Sequence, residues 1–142
     1  MFVDTILQSK GDLVYTLTET ATLADAVALL TEHRIGAVVI TSATGIVVGI
    51  LSERDVVHQL SHNPADVLHR SIADTMSRDV ATVTRQTPIA DVMEQMTRRR
   101  ARHMPVVENG RLVGIVSIGD VVKSKIAQAE QEAHELRDYI AS

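Results

Sequence analysis

The sequence predicts a mixed α/β chain of the α+β kind, built from two tandem β-α-β-β-α repeats packed on each other with pseudo-twofold symmetry and followed by a C-terminal amphipathic helix. Three observations carry that reading. First, Val48-Gly49-Ile50-Leu51-Ser52-Glu53-Arg54-Asp55-Val56-Val57 returns as Val113-Gly114-Ile115-Val116-Ser117-Ile118-Gly119-Asp120-Val121-Val122, with seven of the ten positions identical. An internal repeat of this length fixes the architecture before any other pattern is read. Second, the likeness runs upstream: Leu23 to Leu30 aligns with Ile89 to Met96, and Thr16-Leu17-Thr18 with Thr82-Val83-Thr84, at an offset of 66 residues. The offset becomes 65 across Ser42-Ala43-Thr44-Gly45 and its counterpart Glu108-Asn109-Gly110, a loop where losing a residue costs least. Third, the chain has 142 residues, and halves of about 60 residues bury too little surface to be stable alone, so they must fold against each other.

Each element has a local cause. At the N-terminus Phe2, Val3, Ile6 and Leu7 form a small apolar patch fit to cover a neighbouring surface. A short edge strand follows at Thr16-Leu17, matched by Ala81-Thr82-Val83. Helices are expected over about 22–34 and 88–100; the second starts with Thr87 as a capping hydroxyl and Pro88 at the first helical position. Ala37 to Ile40 and Met104 to Val107 are apolar runs of strand length, and Ile46 to Leu51 and Leu112 to Val116 follow glycine-containing turns as hairpin partners. The last helix of each half begins at Ser52 or Ser117. Val122, Ile126, Ala129, Ala133, Leu136 and Ile140 then recur at 4-3-4-3-4 spacing in a polar run, one apolar helical stripe. That stripe suits either its own module or the same helix of a second copy. The expected organisation is a first repeat with its N-terminal segment over 1–62, a linker with a short helix over 63–76, a second repeat over 77–125 and the terminal helix over 122–142.

Composition excludes several classes. With one Phe, two Tyr and no Trp, the core is aliphatic and little remains for an aromatic cage or base-stacking platform. The absence of cysteine removes disulfides, thiolate metal sites and cysteine nucleophiles together. Asp4 interrupts a short apolar start, so no signal peptide is expected, and no run approaches the roughly 18 apolar residues of a membrane span. A cytoplasmic location follows as the expectation. The net charge of −4 argues against nucleic acid as the main partner. The exception is Arg98-Arg99-Arg100-Ala101-Arg102-His103, either a solvated helix end whose cations face the dipole or an anion site.

The Gly-x-x-Ser-x-x-Asp frame present in both copies calls for a chemical reason. A serine at a helix start offers its hydroxyl beside unpaired backbone N–H groups, where the dipole favours a phosphate. Three residues on, an aspartate can accept hydrogen bonds from both hydroxyls of a ribose. The competing reading is a capping box that satisfies a helix end. Asp25 and Asp91 sit in first helical turns, where the dipole accounts for them. His58 and His62 have the spacing of a two-imidazole metal site but lack a third ligand, which favours ordinary surface histidines; His33, His69 and His134 stand alone.

With these residues in view, the chain resembles paired CBS domains over nearly its whole length, and in particular small stand-alone bacterial CBS pairs. The fuller signature is Ala101-Arg102-His103-Met104-Pro105-Val106-Val107-Glu108-Asn109-Gly110-Arg111-Leu112-Val113-Gly114-Ile115-Val116-Ser117, completed by Asp120. The resemblance implies clefts between the repeats that take AMP, ATP or NAD(H), assembly into homodimers, and regulation of an unknown partner protein. It also resembles the regulatory part of inosine monophosphate dehydrogenase, whose chemistry needs a catalytic cysteine and a barrel, so no catalysis is expected. The expected main site puts the ribose on Asp120 and the phosphate near Ser117, Arg102 and His103, with Pro105 in the same signature. Gly36 and Ala37 leave space for a base that meets the backbone around Ile35, and Arg54 reaches across from the first copy. Ser52 and Asp55 form a second, weaker site, and Thr18 and Thr84 lie on the strands leading into each repeat. The alternative is a scaffolding or nucleic-acid-binding protein that uses the Arg98-to-His103 cluster.

Overall fold

Residues 1–62 and 64–142 are described by the computed structural model of the chain; position 63, the first of the expected linker, lies outside them. Helix α1 (Val3–Lys10) leads into β1 (Thr16–Thr18), α2 (Leu23–His33), β2 (Ala37–Thr41), β3 (Val47–Ser52) and α3 (Glu53–His62). Two single 3₁₀ turns, Val67–His69 and Ile72–Asp74, connect to α4 (Ile89–Arg99), β4 (His103–Glu108), β5 (Arg111–Ser117) and α5 (Ile118–Ala141). The two-copy α+β plan expected from the repeat is the observed one.

Equivalent helices are built alike. In α2 the buried side chains are Leu23, Ala26 and Leu30, and in α4 they are Ile89, Val92 and Met96, the same apolar stripe twice. Each helix ends on an arginine in the left-handed region, Arg34 at φ 52° and Arg100 at φ 54°. The N-termini differ. Thr22 and Asp25 form a capping box on α2. On α4 the cap is Pro88, with no side-chain hydrogen bond. Thr87, expected to cap that helix, accepts instead from the Thr84 N–H at 3.0 Å.

The second repeat also carries a shorter strand. In the first repeat β1 pairs in parallel with β2, which pairs antiparallel with β3. In the second, β4 and β5 form the hairpin, and the expected strand Ala81 to Val83 is reduced to one parallel bridge between Val83 and Val106. The ladder stops there because the next N–H that would face β4, that of Arg85, donates instead to the Glu108 carboxylate at 2.8 Å.

The flanking segments exchange repeats. Val3, Ile6 and Leu7 of α1 lie in the core of the second repeat with Val83, Ile89, Met104 and Val116. Val67, Ile72 and Met76 of the connecting segment lie in the core of the first, with Leu23, Val38 and Leu51. Chain order places residues 1–10 with the first repeat, but their apolar side chains pack in the core of the second. The contacts are equivalent: a Cβ on Gly114 would meet Leu7 Cδ2 at 2.7 Å, and one on Gly49 would meet Met76 Sδ at 2.5 Å. The same contact occurring twice with the copies exchanged is what a pseudo-twofold axis produces.

Val121 is buried, whereas Val122, Ile126, Leu136 and Ile140 of α5 are exposed. Among the described residues nothing covers these four side chains of the terminal stripe. No helix among the described residues is long and apolar enough to cross a membrane.

Candidate cleft between the repeats

Both Ser-x-x-Asp frames close as reciprocal caps. In the first, the Ser52 N–H and hydroxyl donate to Asp55 Oδ2 at 2.8 and 3.1 Å, and the Asp55 N–H donates to Ser52 Oγ at 3.3 Å. In the second, the Ser117 N–H donates to Asp120 Oδ2 at 2.9 Å, and the Asp120 N–H to Ser117 Oγ at 3.1 Å. The capping reading is thus correct for both, and it uses one carboxylate oxygen of each aspartate.

Their surroundings differ. Ser52 and Asp55 open on a cavity of about 1000 Å³ between the repeats. Its first-repeat wall includes Gly36, Ala37, Glu53 and Arg54; the second repeat contributes Val80, Ala81 and the whole run from Arg98 to His103. Five arginines and a histidine therefore face three carboxylates, Glu53, Asp55 and Asp79. Arg99 lies 3.6 Å from Asp79, and Arg98 lies 3.9 Å from Glu94 on its own helix. Among the described residues Arg54, Arg100 and Arg102 have no carboxylate within 4.0 Å, and neither does Asp55 have a basic partner.

His103 stands between the two frames. Its ring lies on Gly36, where a Cβ would be 3.0 Å from Cε1. Burial holds its pKa below the ordinary 6.5; Glu53 on one side and Asp120 on the other oppose this, and Lys10 and Arg102 add to it.

Asp120 is engaged from outside the repeat. Lys10 Nζ donates to its Oδ2 at 2.8 Å and to the Ile115 carbonyl at 3.0 Å. Burial acts to raise the Asp120 pKa, and the hydrogen bonds from Lys10 and Ser117 outweigh it, leaving the carboxyl below its usual 3.8.

The structure thus regroups the expected site. Arg102, His103, Gly36, Ala37 and Arg54 line one cavity together with Ser52 and Asp55, and Ser117 and Asp120 lie outside its lining. The reason is the α4–β4 turn: past the left-handed Arg100, residues 98–103 run along the face of the opposite repeat. Ile35 lines a separate groove with Val27 and Leu30, and the space beside Gly36 is filled by the His103 ring. Pro105 is buried in β4, its carbonyl accepting from the Val83 N–H at 3.0 Å. Thr18 and Thr84 are exposed, their hydroxyls engaged with Thr20 at 3.0 Å and Thr87 at 3.3 Å. Sequence reasoning singled out the arginine run but left Arg98, Arg99 and Arg100 off the site, and it missed Asp79 and Lys10, which carry no local signal. His58 and His62 approach to 4.3 Å between ring centroids, and among the described residues no group of three candidate ligands surrounds a metal position. His33 is not solitary; it stacks on Tyr15 at 3.7 Å.

Comparison with known proteins adds a family and several relatives. The family model "CBS domain" matches residues 11–62 and 70–126. An uncharacterized 17.7 kDa protein of Acidianus ambivalens is 35 % identical over 112 residues, which is 78 % of this chain and 66 % of that protein's length. A crystal structure of a CBS-domain containing protein from Agrobacterium tumefaciens is 42 % identical, with a TM-score of 0.85 over 88 % of this chain and 99 % of that one. The CBS domain pair of protein MJ0100, solved in complex with 5′-methylthioadenosine and S-adenosyl-L-methionine, is 26 % identical, with a TM-score of 0.81 over 90 % of this chain and 98 % of that one.

Proposed function

This chain belongs to the CBS domain family as a tandem pair, and from that premise we propose that it is a non-catalytic regulatory module whose inter-repeat cavity binds an adenosine-containing nucleotide, AMP, ATP or NAD(H). One observation carries the reading: the Ser52–Asp55 frame of one repeat faces unpaired arginines of the other across about 1000 Å³. Asp55 keeps Oδ1 free of hydrogen bonds among the described residues, so it can accept from ribose hydroxyls without giving up its cap. Arg100 and Arg102 supply cations for phosphate, and His103 gains a reason to protonate when an anion arrives. The adenosine group is common to both ligands of the MJ0100 pair, which supports the class of ligand. The unpaired arginines favour a phosphorylated member of that class over an uncharged thioether.

Regulation requires a second state. A ligand shifts such a module only by its difference in affinity between two arrangements, and a homodimer supplies one. Val57 and Leu60 on α3 and Ile118, Val122 and Ile126 on α5 are exposed apolar residues suited to a second copy. The regulated protein is a partner that reads the change.

The test is calorimetric titration of AMP, ATP, NAD⁺ and NADH into the wild-type chain, Asp55→Asn and Asp120→Asn. The expected result is micromolar binding of at least one nucleotide, lost in Asp55→Asn and retained in Asp120→Asn. Failure of all four to bind the wild type overturns the reading. Salt-steep RNA binding, lost on Arg99→Ala with Arg100→Ala but kept in Asp55→Asn, would favour the nucleic-acid alternative.

A further inference from the structure

We propose that two copies of the chain pair through α5 in an antiparallel sense and in one register, with Ile126 of each helix opposite Ala129 of the other and Val122 opposite Ala133. The pairing rests on the homodimer of the proposed function and is independent of nucleotide binding.

Helix α5 has 24 residues, about 36 Å at 1.5 Å per residue. Its first three turns rest on the module: Val121 is buried, and Ser124, Lys125 and Gln128 are half-buried. Every residue from Ala129 to Ser142 is exposed. Side-chain size changes along the seam, from Gly119 to the larger Val122 and Ile126, then the small Ala129 and Ala133, then Leu136. In a parallel pair each of these residues meets its own copy, isoleucine on isoleucine and alanine on alanine, and no single helix separation suits both. In the proposed register every layer sets a larger side chain against a smaller one: Val122 on Ala133, Ile126 on Ala129 and Leu136 on Gly119. The other antiparallel register, Ala129 opposite Ala133, restores the mismatch by setting Ile126 on Leu136, and it brings Glu130 and Glu132 against their own copies.

The end layer has a prepared seat. Ile118, Gly119, Val122, Lys123 and Ile126 line an apolar hollow of about 380 Å³. A Cβ on Gly119 would meet Ser117 Oγ at 3.6 Å and no other side chain within 4 Å, so nothing in the same chain fills the space. Leu136 of the second copy enters it, and Tyr139 of that copy, 80 % exposed in the single chain, comes beside Ile118.

Charge selects the same register. Lys123 and Lys125 flank the seam on its large-residue half, and Glu130 and Glu132 flank it on the alanine half. Among the described residues none of the four pairs with an opposite charge in its own chain. With Ile126 opposite Ala129, Lys123 faces Glu130 and Lys125 faces Glu132 of the second copy, and the twofold axis doubles each pair. Steric fit and charge therefore converge on one alignment of the two helices.

The experiment is sedimentation velocity at low salt on the wild type, Lys125→Glu, Glu132→Lys and the variant that carries both. Each single substitution should weaken self-association about 3- to 30-fold, because two exposed pairs per dimer become repulsive. The double variant should return to the wild-type dissociation constant. In a parallel pair Lys125 would meet Glu130 and Glu132 would meet Arg137, so there the double variant is the weakest of the four; that order overturns the proposal, as do single variants as tight as the wild type. Cross-linking reads the orientation directly, since the chain has no cysteine of its own. On oxidation, a mixture of Val122→Cys and Ala133→Cys should form a disulfide between the two variants, and each variant linking to itself instead overturns the antiparallel sense. A wild type that stays monomeric at high micromolar concentration removes the homodimer and the pairing with it. A dimer whose double variant fails to recover removes the register alone.

Discussion

The imidazole of His103 rests on Gly36: a methyl group at residue 36 would lie 3.0 Å from Cε1 and 3.1 Å from Nε2 of the ring. The repeat aligns Gly36 and Ala37 with Arg102 and His103, so the pair marks where the pseudo-twofold is chemically broken. One copy gives up side chains so that the other can place a ring and a guanidinium at the centre. Burial of that ring holds its titration below the ordinary 6.5.

For His103 the sign is definite. Its pKa in the folded chain lies below 6.5 and returns to that value on unfolding, so below pH 6.5 the unfolded chain binds a proton that the folded chain resists. Stability should be complete above that pH and decline as the pH falls through 6.5 towards the depressed value. Urea midpoints measured from about pH 7.5 to pH 5.5 should show this decline in the wild type and a flatter profile in His103→Gln. A steeper decline in the variant would contradict it.

Nucleotide binding should show the opposite trend. A phosphate beside His103 favours the imidazolium, so affinity should rise as pH falls towards 6 and binding should take up a proton. Calorimetry in two buffers of different ionisation enthalpy would detect the uptake in the wild type and its disappearance in His103→Gln.

Replacing Arg102 with alanine should weaken ATP about 10-fold or more, in line with about 1.5–3 kcal/mol for a charge-assisted hydrogen bond, and should leave adenosine almost unaffected. Competition between ATP and adenosine at two salt concentrations checks this. An equal loss for both ligands would place Arg102 away from the phosphates.

Gly49→Ala should destabilise the fold by about 1–3 kcal/mol, because the new methyl meets Met76 Sδ at 2.5 Å and the Ser77 carbonyl oxygen at 3.1 Å. Gly114→Ala faces only the flexible end of Leu7 and should cost less. Chemical denaturation of the two variants side by side gives the order.

Ile126 is exposed on α5, four residues beyond the likewise exposed Val122. Ile126→Glu should shift the assembly from dimer to monomer in sedimentation velocity, with an unchanged far-UV spectrum. A wild type that is already monomeric at high micromolar concentration would remove the dimer from the proposal.

How far the sequence could be read depended on the range of the interaction. The stripes of α2 and α4, the left-handed turn after each, and both Ser-x-x-Asp caps arise from residues a few positions apart, and the repeat doubled every such signal. The strand ending at Val83 is shorter than its apolar run predicts because the next N–H that would face β4, that of Arg85, turns to the carboxylate of Glu108, a partner 23 positions away. The free α5 stripe was legible as apolar but not as unpartnered, since period alone does not say what lies opposite.

By itself the sequence determined the two-copy α+β architecture, the residue types of the cleft and the positions of its polar frames, because periodicity and capping are encoded within a turn or two of chain. Tertiary structure alone decided which frame meets the arginines and which meets Lys10. The fold brings Asp55 and residues 98–103 to the walls of one cavity and joins Lys10 to Asp120, 110 positions away. The exchange of flanking segments between the repeats places the apolar face of α1 in the core of the second, a property of the packed whole that no local spacing expresses.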